Sequence, residues 1–540
     1  MRRHAATLAL LLAVSAAVQC WMVRAAATPA LDAVRYAAIA GRMERDGLGP
    51  TLRRESEHPL FPLLVYAAHH VRRAVLPTSP DDGAAVVQLA AAVPLWLCVV
   101  PVYFLLLRTF DARYRIAVGG TLLFCLLPAT ARLGADGISD STHLLLAATA
   151  LWAIVEWLAR PTAAWLLLSG GTMGLALTAR AEAVLIAPAL SAVLIWDQFH
   201  VDARRPWRQV ALGGGSLLLG VAVVLGPYLI SVQATTPRRA VARILGRGDG
   251  PASVKTVPAG PARIADSKRS FLDGRPLVFP AKETSTSTRF RGLVPAAREY
   301  ARELAEVFHF GLGLLALWGA WTERRGWRSA DRLFAVLFAG VSLAALYVGA
   351  RAGYLASRHL LLIVPVGLGW AAVGADDLGG RMASLLGFAG TADACRSAWA
   401  ARRSLGGGLA IVLATILCLP RLAAPLHASR EGHRQAGEWL AAQPETGLVL
   451  DTRGWTGLYS GLETRRYDEA RAAFRDARLA YVVVERPELE FASPRAETLR
   501  RLLAASATLA AEFDAGNGAN VVVYRWQPDR VASSADGRRE

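Results

Sequence analysis

Long runs of apolar residues dominate this sequence and restrict its fold more than any other feature. Of the 540 residues, 54% are hydrophobic and only 19% are charged, against about 25% charged in an average soluble protein. A helix needs about 20 mostly apolar residues to cross a membrane. Eleven segments approach that length and composition: 5–23, 84–107, 116–132, 142–158, 164–179, 182–196, 209–232, 305–322, 333–349, 358–374 and 405–420. The pattern predicts an α-helical polytopic membrane protein with about 11 transmembrane helices, and it argues against a soluble enzyme or a disordered chain.

The fifth and sixth of these segments are short and nearly continuous. Only Arg180 and Glu182 interrupt the apolar run between residues 164 and 196. The sequence leaves open whether this region forms one span or two, and the answer sets the orientation of every later segment.

The distribution of basic residues predicts how the helices are oriented. If Arg2 and Arg3 lie inside, every second gap between spans should be cytoplasmic and rich in arginine. Those gaps contain Arg108, Arg113, Arg115, Arg160, Arg204, Arg205, Arg208, Arg324, Arg325, Arg328, Arg332, Arg381, Arg396, Arg402 and Arg403. We therefore expect a multi-pass protein of the cytoplasmic (inner) membrane, with its N-terminus inside. The same loops explain much of the net charge of +17, so we expect no nucleic-acid partner.

Two long gaps, 24–83 and 233–304, fall on the predicted outer side of a transmembrane domain that covers residues 1–420. Residues 32–46 place Tyr36 and Met43 on one apolar stripe, which predicts an amphipathic helix at the membrane interface. The second gap mixes Gly, Pro, Ser and Thr and predicts an irregular loop or lid.

The first apolar segment has a second interpretation. Arg2 and Arg3, the apolar run and the alanines at 25–27 also fit a cleaved signal peptide. A run of about 19 apolar residues suits a membrane span better.

Residues 421–540 have a different pattern, typical of a small soluble domain. The segments 447–451, 480–485 and 519–526 are rich in β-branched residues and predict strands. Helical patterns separate them at 431–442, 467–477 and 496–511. This alternation predicts a small C-terminal α/β domain. The charge pattern places this domain on the extracytoplasmic side of the membrane.

Polar side chains recur at the predicted outer ends of the spans. They are Asp32, Arg35, Tyr36, Glu57, His58, Asp136, Asp140, Arg180, Glu182, Tyr354, Arg358 and His359. Any one of them alone is better explained as a solvated loop residue, but their concentration on one side indicates a site. Arg180 and Arg358 stand where few cations are expected, so they fit either ligands of a lipid-borne phosphate or side chains that snorkel to headgroups.

Several of these residues lie in an ordered set of segments. The set comprises "LDAVRYAAIAGRM", "HPLFPLL", "ADGISDSTHLLLAATALW", "GLALTARAEAVLIAPAL" and "GYLASRHLLLIVPV". In this order the sequence resembles the GT-C superfamily of integral membrane glycosyltransferases, over about residues 1–375. Within it, the chain looks like the bacterial families similar to dolichyl-phosphate-mannose protein mannosyltransferases and the RgtA/B/C/D-like enzymes.

The resemblance implies transfer of a sugar from a polyprenyl-phosphate donor to an acceptor at the outer face, with inversion at the anomeric carbon. It places the catalytic general base at Asp32 and the second acid at Asp136 or Asp140, with spacing in favour of Asp140. The family arginines fall on Arg180 and Arg358. His359 replaces the usual aromatic residue.

The sequence also departs from the family pattern at two places near the first acid. Leu60 stands where the family has a second proline after His58, and Leu31 and Ala33 flank Asp32 where a paired acid is common.

The chemistry of sugar transfer from a phosphate suits these residue types. Phosphate is a good leaving group, so the reaction needs cations for the developing charge and one carboxylate for the acceptor proton. Glycoside hydrolysis would instead need two carboxylates beside the bond. No cofactor is certain, and a divalent metal stays an open expectation. The partners expected are the donor, membrane lipids and an acceptor glycan, lipid or protein.

Two other classes of function remain as alternatives. A transporter or flippase of lipid-linked sugars would use internal repeats and polar residues near mid-membrane. A structural membrane subunit would use the C-terminal domain to bind a partner.

Overall fold

The structure is a computed structural model that describes residues 2–55, 57–75, 82–200, 205–232, 292–352, 355–385, 396–491, 493–514 and 520–527. Helices make up most of the described residues up to residue 423. Their bounds are α1 Arg2–Ala25, α2 Leu31–Asp46, α3 Leu48–Arg54, α4 Leu60–Val75, α5 Asp82–Thr109, α6 Tyr114–Leu126, α7 Pro128–Asp136, α8 Asp140–Ala159, α9 Ala163–Ala179, α10 Ile186–His200, α11 Trp207–Val232, α12 Leu293–Val307, α13 Gly311–Glu323, α14 Ser329–Ala352, α15 Val364–Leu385 and α16 Arg396–Ala423.

All eleven predicted apolar segments contain helix, but they differ in how they can cross a membrane. Among the described residues, seven helices are long and apolar enough, or up to nine spans if each of two bent pairs counts as one. The other two segments are shorter apolar helices, Ala163–Ala179 and Ile411–Ala423. The fold is thus mostly helical and polytopic, as the apolar pattern predicts.

The region 164–196 forms two helices. The backbone at Arg180 is extended (φ −156°, ψ 149°), which ends α9, and a short 3₁₀ helix, Ala181–Leu185, leads into α10. α9 packs against α8 and α11, whereas α10 packs against α14. The two helices therefore have different neighbours.

One predicted span is wrong in its bounds. The segment 305–322 includes a 92° bend between α12 and α13, and His309 and Phe310 at the bend have positive φ angles of 48° and 53°. α12 carries charged residues at 298, 299, 302, 303 and 306, and this polar stripe cannot continue an apolar span. Residues 293–304 are thus helical and not part of a loop, while residues 233–291 of that predicted loop lie outside the described residues.

The predicted amphipathic helix is present as α2, in a layer with α3 and α4. Ala33 and Ala40 of α2 pack with Phe61 and Val65 of α4 and with Val87 of α5. This cluster fixes α2, and the acid in its first turn, against the first long span after it.

The C-terminal region contains a five-stranded mixed sheet. Its elements are α17 Glu431–Ala441, β1 Leu448–Asp451, α18 Gly457–Ser460, β2 Thr464–Arg465, α19 Ala470–Ala473, β3 Leu479–Glu485, α20 Arg486–Glu490, α21 Pro494–Ser506, β4 Ala507–Phe513 and β5 Val521–Trp526. The strand order is β2-β1-β3-β5-β4. The first three strands are parallel, and β5 is antiparallel to both β3 and β4.

The sheet corrects two predictions from the sequence. The helix expected at 496–511 ends at Ser506, because residues 507–513 pair with β5 as an antiparallel edge strand. The alanines of this segment favour helix, but the hydrogen bonds that β5 offers determine its conformation. The helical pattern at 467–477 produces only a short 3₁₀ turn and α19, and the two-residue strand β2 was not predicted.

Two glycines allow α13 and α15 to cross closely. A Cβ atom on Gly319 would lie 2.0 Å from the carbonyl oxygen of Trp370, and one on Gly374 would lie 2.2 Å from that of Leu315. Small residues at helix crossings let backbones approach within a membrane. This contact holds α15, and the segment before it, against the rest of the bundle.

Gly319→Ala should therefore lower the thermal unfolding temperature, because an added methyl group overpacks a backbone contact at a cost of about 1–3 kcal/mol. Gly340→Ala on α14 is a matched control, since nothing lies within 4 Å of its Cβ position. Thermal unfolding in detergent measures both. Equal unfolding temperatures for the two variants would contradict the crossing.

Candidate active site

Ends of helices that are distant in sequence meet at one face of the bundle, which we call the site face. It is formed by the start of α2, the start of α8, the end of α9 and a 3₁₀ helix, Ser357–Ile363. At the opposite ends of the helices, Arg108 pairs with Glu156, Arg113 with Glu323, and Arg332 with Asp197. Residues that the charge alternation placed on the cytoplasmic side thus contact one another, away from the site face.

Asp32 and Arg358 are in direct contact at the site face. Nη1 of Arg358 donates to Oδ2 of Asp32 at 2.6 Å, although the two residues are 326 positions apart. Asp32 lies in the first turn of α2, where the helix dipole favours a carboxylate. Its side chain is 40% exposed, so another molecule can reach it.

A second ion cluster joins α8 to the end of α9. Arg180 donates through Nη1 to Oδ2 of Asp140 at 2.8 Å and through Nη2 to Oε1 of Glu182 at 2.6 Å. The side chain of Asp140 is only 2% exposed. A buried carboxylate needs such a partner because solvation no longer stabilises its charge. Arg180, which ends α9, therefore also balances the charge of Asp140 at the start of α8.

Tyr36 lies between the two clusters. Its hydroxyl is 3.2 Å from Oγ of Ser139, next to Asp140, and its ring packs edge-on against Phe61. Burial raises the pKa of Tyr36 to about 12, and the carboxylates of Asp32 and Asp140 act in the same direction. The tyrosine therefore stays protonated at physiological pH and can donate a hydrogen bond.

The other predicted residues occupy places around these clusters. Arg35 pairs with Glu57 at 2.7 Å and ties α2 to the segment before α4, where His58 is also buried. His359, next to Arg358, accepts through Nδ1 from the backbone nitrogen of Ala356. Tyr354 lies outside the described residues.

Asp136 makes different contacts from Asp140. Its Oδ1 atom is 2.8 Å from Nε2 of His427, which follows α16, and its Oδ2 atom is 3.9 Å from Arg132. Of the two acids that the sequence left open, Asp140 is the one paired with Arg180. Asp136 instead links the helical region to the start of the C-terminal region.

Three residues of this site were missed from the sequence. His143 is buried one turn after Asp140 and is close enough to Glu182 and Arg180 to interact with them electrostatically. Ser357 accepts from Nη2 of Arg132 at 3.1 Å, and His427 contacts Asp136. The spacing of Asp140 and His143 on one helix face is a local signal, but nothing in the sequence links His427 to an acid 291 positions away.

The acids of the site face contact arginines. Among the described residues, no group of three or more His, Cys, Asp or Glu side chains has a geometry that could hold a metal ion. Asp32 and Asp140 each face an arginine. The arrangement suits binding of an anion between guanidinium groups better than binding of a divalent cation.

The fold of this chain is similar to that of known proteins. The family model for dolichyl-phosphate-mannose-protein mannosyltransferase matches residues 78–227. ArnT from Cupriavidus metallidurans in the apo state is similar in structure, with a TM-score of 0.57, 14% identity, and coverage of 98% of this chain and 99% of that one. The chain has a GT-C fold.

Two further GT-C structures are similar along most of the chain. ArnT bound to undecaprenyl phosphate gives a TM-score of 0.55 at 14% identity and covers 96% of this chain and 97% of that one. The oligosaccharyltransferase AglB from Archaeoglobus fulgidus, in complex with an inhibitory peptide and a dolichol-phosphate, gives 0.51 at 14% identity, with coverage of 93% and 73%. No curated protein sequence matches the chain. The fold that the resemblance in the sequence implied is confirmed.

Arg180→Gln should destabilise the protein by about 3–5 kcal/mol, because it leaves the buried carboxylate of Asp140 without a counter-charge. Adding Asp140→Asn to this variant should recover part of the loss. Arg351→Gln, at an exposed cation of α14, should change little. The unfolding temperatures of the four proteins test the cluster, and a double variant less stable than Arg180→Gln alone would contradict it.

Proposed function

We propose that this protein is a membrane glycosyltransferase. It transfers a hexosyl or pentosyl group from a polyprenyl-phosphate donor to an acceptor hydroxyl at the outer face of the cytoplasmic membrane, with inversion and with Asp32 as general base. The observation that carries the proposal is the contact between an accessible carboxylate, Asp32, and Arg358, beside the buried Asp140–Arg180–Glu182 cluster.

Accessibility separates the two acids. Asp32 is 40% exposed and contacts Arg358 through Oδ2, whereas Asp140 is 2% exposed and held by Arg180. A general base must come within hydrogen-bond distance of the hydroxyl that it deprotonates. Asp32 is exposed enough for an acceptor hydroxyl to reach it, and in this proposal Asp140 acts by orienting Arg180.

The arginines provide for the phosphate. A guanidinium group can donate two parallel hydrogen bonds to phosphate oxygens, and Arg358 is 32% exposed on the same side as Asp32. Two of the fold relatives, ArnT and AglB, hold undecaprenyl phosphate and dolichol-phosphate, respectively. By analogy, the phosphate of the donor would bind at Arg358, with Arg180 behind it.

An apolar cavity suits the lipid part of such a donor. It has a volume of about 430 Å³ and is lined by α12, α13, α14 and α15 and by Leu362 and Ile363. These two residues belong to the same 3₁₀ helix as Arg358. A prenyl chain in this cavity would keep its hydrocarbon out of water while its phosphate stays near the arginine.

The reaction follows from these positions. The carboxylate of Asp32 accepts the proton of the acceptor hydroxyl as the hydroxyl oxygen forms a bond to the anomeric carbon. The bond from that carbon to the phosphate oxygen breaks, and the electron pair leaves with the lipid phosphate. Arg358 and Arg180 stabilise the charge that develops on the phosphate.

The Asp32–Arg358 ion pair also sets the order of events, because the donor must bind before Asp32 can accept a proton. Without donor, Arg358 neutralises Asp32. A donor phosphate competes for the same guanidinium group and so releases the carboxylate to accept a proton.

The proposal also includes the acceptor and the topology of the chain. The acceptor is a glycan, lipid or protein hydroxyl. In this proposal the N-terminus lies inside, residues 1–420 form the transmembrane domain, and residues 421–540 form an extracytoplasmic domain.

Asp32→Asn should abolish sugar transfer without loss of fold, because the amide cannot accept the proton. The purified protein is incubated with a panel of polyprenyl-phosphate sugars and acceptors, and the product is detected by mass spectrometry. Asp46→Asn, at the exposed far end of α2, is the matched control and should stay active. Full activity of Asp32→Asn would remove Asp32 as base.

Arg358→Gln should weaken binding of polyprenyl phosphate at least about tenfold, because a charge-assisted contact to phosphate is lost. Asp32→Asn should bind the same lipid at least as tightly as the unaltered protein, since its arginine is no longer neutralised. Binding is measured with polyprenyl phosphate in detergent or nanodiscs. Weaker binding by Asp32→Asn would contradict competition for Arg358.

A further inference from the structure

The C-terminal region holds the short segment that leads into α2. The backbone nitrogen of Ala27 donates to the carbonyl oxygen of Leu426 at 3.0 Å. The hydroxyl of Tyr459 donates to the carbonyl oxygen of Ala27 at 3.2 Å, and Nε1 of Trp455 donates to that of Pro29 at 3.1 Å. Three hydrogen bonds from the C-terminal region thus fix the backbone between α1 and α2.

The same surface packs against α2 itself. Val34 of α2 and Ala84 of α5 form an apolar cluster with Trp455, Leu458 and Tyr459. All five side chains are buried. The indole of Trp455 therefore both packs on α2 and donates to the residue three positions before Asp32.

The backbone at Gly454 approaches α2 closely at this contact. Gly454 has a φ angle of 91°, and a Cβ atom there would lie 3.0 Å from Cγ1 of Val34. Only glycine combines this backbone conformation with so little space.

The loop that carries Trp455 is rigid on its own side. Oδ2 of the fully buried Asp451, at the end of β1, accepts from the nitrogen and the hydroxyl of Thr456 at 2.8 and 2.6 Å. The guanidinium of Arg430 lies 4.7 Å from the centre of the Trp455 ring, and His433 packs beside it. These contacts within the C-terminal region hold the indole of Trp455 in place.

The other side of the segment is also attached to the site. The nitrogen of Ala30 donates to the carbonyl oxygen of Asp136 at 2.9 Å, and His427 contacts the side chain of Asp136. The first turn of α2 is therefore clamped between the end of α7 and the C-terminal region, and Asp32 lies in that turn.

We propose that Trp455 is a positioning residue, which holds the first turn of α2 so that Asp32 stays in place beside Arg358. The C-terminal region is then part of the catalytic unit. This inference rests on the proposed function of Asp32. A displacement of a catalytic group by about 1 Å can lower a rate about 100-fold, so the effect falls on the rate of the chemical step more than on binding.

The test uses three single variants of the full chain. Trp455→Phe removes the indole donor and keeps an aromatic ring, and Tyr459→Phe removes only one hydroxyl. Trp439→Phe is the matched control, since Trp439 packs on Tyr481 of the sheet instead of on α2. We expect Trp455→Phe to lower kcat about 10-fold or more, Tyr459→Phe to lower it less, and the KM values for donor and acceptor to stay within about twofold. Trp439→Phe should leave kcat unchanged.

Hydrogen exchange measured by mass spectrometry provides a second readout that needs no activity. Peptides from residues 27–36 should exchange faster in Trp455→Phe than in the unaltered protein or in Trp439→Phe. Unchanged kcat and unchanged exchange in a folded Trp455→Phe would overturn the inference. If the unaltered protein transfers no sugar, the proposed function fails, and the exchange of residues 27–36 still decides whether Trp455 holds α2.

Discussion

The balance of charge around Arg180 is the constraint on which the rest of the site depends. A charged side chain among apolar helices is costly unless it is paired. Arg180 meets this demand with Asp140 and Glu182, and Asp140 is buried so deeply that it needs the arginine as well. The start of α8 and the end of α9 must therefore meet at one face of the bundle. Asp32 and Arg358 lie at the same face.

The two ion pairs of the site differ in burial and hence in role. The Asp140–Arg180 pair is removed from solvent, and breaking it would leave an uncompensated charge. The Asp32–Arg358 pair is partly exposed, and pairs of this kind contribute about 0–1 kcal/mol to stability. In the proposed mechanism, an anionic substrate displaces Asp32 from Arg358 at little cost, while Arg180 stays in place.

The sequence predicted the elements well where one local pattern decides the structure. The apolar runs contain helices, and the segments predicted as strands at 447–451, 480–485 and 519–526 contain Leu448–Asp451, most of Leu479–Glu485 and Val521–Trp526. Predictions failed where a distant partner decides. The alanine-rich segment Ala507–Phe513 became a strand because β5 lies beside it. The segment 305–322 was wrong in its bounds for a local reason, since its first residues belong to the charged helix α12, which precedes the 92° bend.

By itself, the sequence determined the class of the fold, the face at which polar residues gather and the residue types of the site, because hydropathy and charge along a chain act locally. It named Asp32, Arg180 and Arg358 without showing which acid each arginine contacts. Only the tertiary structure paired Asp32 with Arg358 across 326 positions and separated Asp140 from Asp136 by their partners. It alone brought Trp455 to the carbonyl oxygen of Pro29. Such contacts depend on how whole helices and a sheet pack together. No local sequence pattern shows which residues that are distant in sequence come into contact.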